Sequence, residues 1–357
     1  MNIEPFDEKS YREIRSRWDR VAKPLDSMGR FEEMIARIGA VQQTAYPDIS
    51  RRAVVMLCAD NGIIEEGVSQ SGQDVTREVA SWMGKGISSV CKMAAAAGVE
   101  TIPVDIGINM EGSPEGVIDM KVRRGTRNFA REDALTYSEV KKAIRYGTDI
   151  VSMCRDEGCR ILATGEMGIG NTTTSSALAS ALLGIPAEHV TGRGAGLSDS
   201  GLVRKTEIIR ASVERLMNNN HYEITSPEFA VKALCAVGGL DIAGMAGIFI
   251  GGAVYHVPVV IDGFISAVAA LAAERICPGC RQAMIPSHIG KEPGMKLIMD
   301  ELRLEPVIDA KLSLGEGTGA VMLFPLLDMA MTLYSDGLEF RDTGVEQYVH
   351  LGSESEQ

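Results

Sequence analysis

The sequence predicts an α/β fold: a three-layer parallel sheet of Rossmann-like kind, with a second, smaller helical domain built from both chain termini. Three observations predict it. Short apolar runs ending in a small residue or an acid recur through the middle of the chain, and alanine-rich stretches separate them. Both ends differ from this middle, with amphipathic helix at the start and polar loops with short helices from about residue 285. Apolar strands alternating with helices indicate a parallel sheet covered on both faces.

Residues 1–45 read as helices, because Tyr11, Ile14, Trp18 and Val21, then Phe31, Met34, Ile35 and Ile38, fall at three- and four-residue spacing. After Pro47 come the strand candidates AVVMLCAD (53–60), ETIPVDIGI (100–108), CRILATGEMG (159–168), the weaker CAVGG (235–239) and VPVVIDGF (257–264). Helices are expected at 86–97, 138–157, 172–183 and 240–253, and again at 319–334. This divides the chain into an α/β domain over 46–284 and a mainly helical one from 1–45 plus 285–357. No repeat appears at a spacing of about 20–50 residues. In an open parallel sheet the ligand sits beyond the carboxyl ends of the strands, so Asp60, Asn61, Asp105, Glu166 and Asp262 are expected to cluster there.

Composition narrows the function. A chain of 357 residues with net charge −12 and 38 glycines lacks the clustered Lys and Arg of a nucleic-acid binder. Any phosphate it holds is expected to be held locally, by backbone N–H groups and one or two cations. The charged start MNIEPFDEKSYREIRSRWDR has no signal-peptide core, so the expected location is cytoplasmic. The long apolar stretch 233–273 is interrupted by Asp241, His256 and Asp262, which argues against a membrane span. Seven scattered cysteines with a lone CxxC at Cys277 and Cys280 suggest neither a disulfide framework nor a zinc ribbon. No HExxH, His/Cys cluster or GxSxG occurs, and neither a metal nor a cofactor is expected.

Three segments carry chemistry. In GEMGIGNTTTSSAL (165–178) a strand runs into a glycine loop that opens onto a helix, a setting where unpaired N–H groups and the helix dipole receive an anion. The spacing imitates a P-loop but lacks its lysine, which favours a phosphomonoester over a hydrolysed triphosphate. Gly168, Ile169, Gly170, Asn171 and Thr172 are the binding candidates, and Glu166 is expected to face away from the anion, toward sugar hydroxyls or the reacting centre. A second glycine loop, TGRGAGLS (191–198), supplies Gly194, with Arg193 or the later Lys205 as the cation. In KLSLGEGTGA (311–320), Glu316 is flanked by glycines that let the backbone approach a ligand, and partial burial would raise its pKa toward general-base use. Ser287 and His288 open a further polar loop, SHIGKEPG. VPVVIDGF carries one acid where pyrophosphate-dependent phosphoribosyltransferases carry two, so a magnesium-bound pyrophosphate leaving group is disfavoured.

GEMGIGNTTTSSAL, VGGLDIAGMAG and LGEGTGA, with ADNGI, EEGVSQSGQDVT and SHIGKEPGM, together resemble the nicotinate-nucleotide–dimethylbenzimidazole phosphoribosyltransferase family over roughly 55–325. The resemblance implies a homodimer that moves 5-phosphoribosyl from nicotinate mononucleotide to a benzimidazole nitrogen, giving an α-N-glycosidic bond for the lower ligand of cobamides. It implies Glu316 as catalytic base, Glu166 as a second active-site acid and Lys205 as the active-site lysine, with the 5′-phosphate on 166–173 and Gly194 and Ser287 nearby. The 67–78 segment, where relatives carry a proline and an aromatic residue, has small residues here, which leaves acceptor choice open. Ser69, Gln70, Gln73 and Met167 are the acceptor-pocket candidates. The alternatives are a nucleotide N-glycosidase, or a relative activating a purine or phenol, the latter as a heterodimer with a paralogue.

Overall fold

The computed structural model describes residues 3–194 and 196–350. In chain order its elements are α1 (Glu8–Arg20), α2 (Arg30–Val41), β1 (Arg52–Ala59), α3 (Asp74–Gly84), α4 (Ser89–Ala96), β2 (Glu100–Gly107), β3 (Ile118–Asp119) and α5 (Tyr137–Asp156). There follow β4 (Ile161–Met167), α6 (Asn171–Leu183), α7 (Asp199–Asn218), α8 (Pro227–Val237), α9 (Leu240–Tyr255), β5 (Val259–Ile261) and α10 (Phe264–Ile276). The last are β6 (Met284–Pro286), β7 (His288–Gly290), α11 (Gly294–Leu302), β8 (Ile308–Leu312) and α12 (Thr318–Asp336).

Six strands form one parallel sheet in the order β3-β2-β1-β4-β5-β6, and β7 pairs with β8 in a small parallel sheet beside it. The chain starts in the middle at β1, winds outward to β3, then returns across β1 to β4. The winding direction therefore reverses between β1 and β4, the point at which parallel sheets of this kind favour a crevice beyond the carboxyl ends of the strands.

Alternation along the strands explains the layers. Ala53, Val55, Leu57 and Ala59 of β1 point into one apolar cluster with α5, α6, α8, α9 and α10, whereas Val54, Met56 and Cys58 point into a second with α1, α2, α4 and α12. Both chain ends thus meet on one face of the sheet, where Ile14, Trp18, Ile35 and Phe324 are buried with Val54 and Ile161. On the other face α9 is buried from Leu240 to Ala253. Glycines let α5 approach it, since a Cβ on Gly147 would lie 2.0 Å from the Gly244 carbonyl oxygen. Most of the stretch 233–273 is thus buried core of the sheet domain. Among the described residues α12 alone is long and apolar enough to cross a membrane, but Leu323, Phe324, Leu327 and Ala330 are buried in the second cluster. Arg52 of β1 ties this helix to the sheet through Asp328, at 2.6 and 2.9 Å.

Four strand expectations hold with trimmed ends, and one does not. CAVGG (235–239) forms the end of α8 and the turn after it: Ser226 accepts from the Phe229 N–H and Pro227 takes the first turn, so a helix is already running when the apolar residues arrive. VPVVIDGF yields only the three residues of β5, because Asp262 and Gly263 turn the chain into α10. The strands β3, β6, β7 and β8 were not foreseen, and β6 lies at the expected domain boundary, pairing with β5 in the main sheet.

Candidate active site

A cleft of about 320 Å³ lies beyond the carboxyl ends of β4 and β5. Glu166, Met167, Gly168, Ile169, Asn171, Thr172, Gly194 and Glu316 line it, so most of the residues singled out from sequence converge on one hollow. The remaining candidates fall elsewhere. Gly170 adopts the left-handed conformation as N-cap of α6 and packs against Asn61. Ser287 is buried beneath the cleft, donating to the Ile261 carbonyl oxygen at 2.6 Å and lying 2.9 Å from His288 Nδ1. Ser69, Gln70 and Gln73 do not line the cleft: the Gln70 amide donates to the Gly196 carbonyl oxygen, Gln73 accepts from Asn109 at 2.9 Å, and Ser69 accepts from the Ser71 N–H. Cys277 and Cys280 sit on a turn after α10 that Glu274 holds through the N–H groups of Gly279 and Arg281.

Glu316 occupies a left-handed backbone conformation (φ 62°) between two glycines that share it, Gly315 (φ 82°) and Gly317 (φ 93°). For a residue bearing a side chain this is strained, and such strain persists only where neighbours hold it. The holding contacts are visible. A Cβ on Gly165 would lie 2.4 Å from the Glu316 carbonyl oxygen, so β4 and this loop touch backbone to backbone. The Glu316 carboxylate accepts from the Val90 N–H at the start of α4, at 3.2 Å. Burial raises its pKa, the Asp262 charge adds to that, and the bonds from Val90 and Ser88 oppose it.

Glu166 faces this loop from β4. A Cβ on Gly315 would lie 2.9 Å from its Oε1. Asn171 donates to Glu166 and, at 3.1 Å, to Asp241, bridging two buried carboxyls. Burial is the main reason the Glu166 carboxyl is pushed up to about 8, and the charges of Asp241, Asp262 and Glu316 act in the same direction. Asp241 is pushed up to about 6, again chiefly by burial. Glu166 is therefore largely protonated at neutral pH in this environment.

Lys205 of α7 does not line the cleft but lies buried directly behind its Thr172 and Gly194 wall. It is 0% exposed, donates to Thr172 Oγ1 at 3.1 Å and to the Gly192 carbonyl oxygen at 3.0 Å, and burial lowers its pKa to about 8 against the pull of Glu292. Gly194 approaches this group closely, since a Cβ there would lie 2.7 Å from Thr172 Oγ1. Arg193 instead points to the Leu197 carbonyl oxygen and Asp199 on the surface. The loop amides are less available than expected: the Ile169 N–H donates to Thr76, the Asn171 N–H to Gly168 and the Thr173 N–H to Gly170. Among the described residues no group of three or more His, Cys, Asp or Glu side chains has the arrangement to hold a metal ion.

Several lining residues carried no strong sequence signal. Asp262, His288, Lys291, Glu292, Phe264 and Leu314 reach the cleft from three separate segments. Asp262 was legible as a strand-end acid, while His288 and Glu292 were visible only as members of a polar loop.

Comparison with known proteins agrees with this geometry. A family model described as Phosphoribosyltransferase matches residues 3–345. A nicotinate-nucleotide–dimethylbenzimidazole phosphoribosyltransferase of Acetivibrio thermocellus is 42% identical over 335 residues, covering 94% of this chain and 93% of that protein. The chain belongs to the nicotinate-nucleotide–dimethylbenzimidazole phosphoribosyltransferase family. Another member, from Clostridium acetobutylicum, is 40% identical over 98% of this chain and 97% of its own length. The crystal structure of CobT from Thermus thermophilus superimposes with a TM-score of 0.88 at 35% identity, covering 95% of this chain and 100% of that one. The family's parallel α/β architecture is therefore the architecture of this chain, and the chain is an enzyme of the phosphoribosyltransferase kind.

Proposed function

We propose that this enzyme transfers 5-phosphoribosyl from nicotinate mononucleotide to a nitrogen of 5,6-dimethylbenzimidazole or a closely related base, inverting the anomeric carbon and releasing nicotinate. The product is an α-ribazole 5′-phosphate, the nucleotide of a cobamide lower ligand. The names of the relatives support the substrates. The observation that carries the chemistry is the convergence of Glu166 and Glu316, from separate segments, on a cleft whose wall at Thr172 and Gly194 is backed by the buried Lys205.

In this reading the bond between the anomeric carbon and the pyridinium nitrogen breaks with its electron pair returning to the ring, which leaves as neutral aromatic nicotinate nitrogen. The unprotonated ring nitrogen of the acceptor attacks the opposite face of the sugar, and the N–H proton on its other ring nitrogen passes to Glu316. A base with a raised pKa suits that transfer, because proton removal is most effective when acid and base are better matched. Positive charge on the donor ring and on the anomeric carbon favours ionised Glu166, so donor binding is coupled to loss of the Glu166 proton. The 5′-phosphate is assigned to Thr172, Gly194 and Lys205 at the start of α6, where helix dipole and ammonium act together. Met167, with Val79 and Phe264, supplies apolar wall for the flat acceptor. The working unit is proposed to be a homodimer.

The competing reading is hydrolysis of the N-glycosidic bond. Purified enzyme is incubated with nicotinate mononucleotide with and without dimethylbenzimidazole, and nicotinate and product mass are followed. Transfer predicts nicotinate release that depends on the acceptor, with an equal amount of ribazole phosphate. Release at the same rate without acceptor would overturn it.

A further inference from the structure

Asp262 sits between β5 and α10, buried at 3% exposure, and its two oxygens reach across to another part of the chain. Oδ2 accepts from the Gly317 N–H at 3.2 Å, and Oδ1 accepts from the Ala320 N–H at 2.9 Å. Those donors bracket the start of α12, and Gly317 directly follows Glu316. The loop needs such a grip. Three consecutive residues, Gly315 to Gly317, have left-handed backbone, and Gly317 has no side chain of its own to cap α12. His288 wedges against the same turn, since a Cβ on Gly319 would lie 2.1 Å from its ring. Asp262 also lines the cleft, so it stands beside the reacting centre without being aimed at a proton there.

We propose that Asp262 is a positioning residue: by gripping Gly317 and Ala320 it holds the strained Glu316 backbone so that the Glu316 carboxylate faces the acceptor. The assignment rests on Glu316 being the base. A shift of about 1 Å in a catalytic group can cost on the order of 10²-fold in rate, so a two-point grip on the adjoining peptide is well placed to matter. Asp262 has a second effect. Its charge is felt at both Glu316 and Glu166, where it adds to the effect of burial in raising their pKa values. The groups facing this cluster are Asp241 from α9, Glu166 from β4, Glu316 before α12 and His288 from β7, the last opposing the burial of the Asp262 carboxyl.

The test is a double-mutant cycle with Asp262→Asn, Glu316→Gln and the combination, with melting curves and the pH dependence of kcat/KM for each. The Asp262→Asn amide keeps one acceptor oxygen but presents N–H toward the second backbone donor. The expected result for Asp262→Asn is a kcat lowered about 10- to 100-fold, with KM for nicotinate mononucleotide changed less than about threefold. Removing the negative charge lowers the Glu316 pKa, so the acid limb of the profile moves to lower pH, a change that a merely structural role would not produce. In the Glu316→Gln background the same substitution is expected to cost no more than about twofold, because the group it positions is gone. If Asp262→Asn does not melt cooperatively, Asp262→Glu replaces it: that variant keeps the charge, displaces the carboxylate, and is expected to lower kcat while leaving the acid limb in place. The proposal is overturned by Asp262→Asn keeping kcat within twofold of wild type, or by its full loss recurring on top of Glu316→Gln. Near-normal turnover of Glu316→Gln alone is a different outcome, and refutes the base assignment on which the proposal stands.

Discussion

Two hollows of similar size open at opposite ends of the parallel sheet. The one at the carboxyl ends, about 320 Å³, is lined by Glu166, Asp262 and Glu316. The one at the amino ends, about 360 Å³, is lined by Asp48, Arg155, Arg160, Tyr255 and His256. Charge is plentiful at both. At the amino end it is paired in water: Arg155 meets Asp156 at 2.7 Å, Arg160 meets Asp48 at 3.6 Å and His256 meets Glu4 at 3.6 Å, with each side chain a third or more exposed. At the carboxyl end Glu166, Asp241, Asp262 and Lys205 are buried. Cavity volume therefore does not separate the two; desolvation does, because it moves protonation equilibria into the range where chemistry is run near neutral pH.

The contrast can be broken from either end. The largest effect in this set is expected from Glu166→Gln, which should lower kcat/KM about 100-fold or more by removing the charge proposed to face the anomeric carbon. The same variant should melt higher than wild type at pH 8. The sign follows from linkage: with a folded pKa near 8 against an ordinary 4.5, the folded state binds more protons between those values, so stability falls as pH rises through that window. The glutamine is neutral throughout, and its advantage should be largest at pH 8 and fade toward pH 5. A melting midpoint difference that does not change with pH would show that the carboxyl titrates normally.

Next in size is Lys205→Met. Losing a charge-assisted contact of about 1.5–3 kcal/mol predicts a KM for the nucleotide raised about 10- to 100-fold. In wild type, kcat/KM should fall above about pH 8 as the ammonium loses its proton, and this limb should be lost in the variant. Gly165→Ala should come third. Its methyl would meet the Glu316 carbonyl at 2.4 Å, and pushing the loop away should cost about 1–3 kcal/mol of stability and roughly 10-fold in kcat. The smallest effects belong to the amino end, where Arg155→Ala and Arg160→Ala should change stability by less than about 1 kcal/mol and leave kcat/KM within twofold. A larger loss there would end the distinction between the two hollows.

The same contrast explains what the sequence made legible. Strand-end acids follow from one rule of parallel sheets, so Asp60, Glu166 and Asp262 could be placed at the carboxyl end from the sequence alone, and the glycines around Glu316 marked a backbone able to approach a ligand closely. Lys205 was harder, because a lysine inside a helix reads as a surface charge; choosing it over Arg193 requires knowing that α7 packs its start against Thr172. The acceptor candidates Ser69, Gln70 and Gln73 lie on a loop without periodicity, and no pattern told which way their side chains would turn. Three-residue strands such as β6 and β7 are too short to show an alternation, and CAVGG was an apolar run whose helical start lay upstream of the residues that looked like a strand.

At the centre of the proposed mechanism stands Glu316, half-buried and held on its loop, as the base that would take the acceptor proton. That role is tested most directly by measuring turnover and nicotinate mononucleotide binding side by side in Glu316→Gln. Turnover is expected to fall by about 10²- to 10⁴-fold with nucleotide affinity within about threefold of wild type. Turnover near the wild-type rate, with the nucleotide still bound, would contradict it.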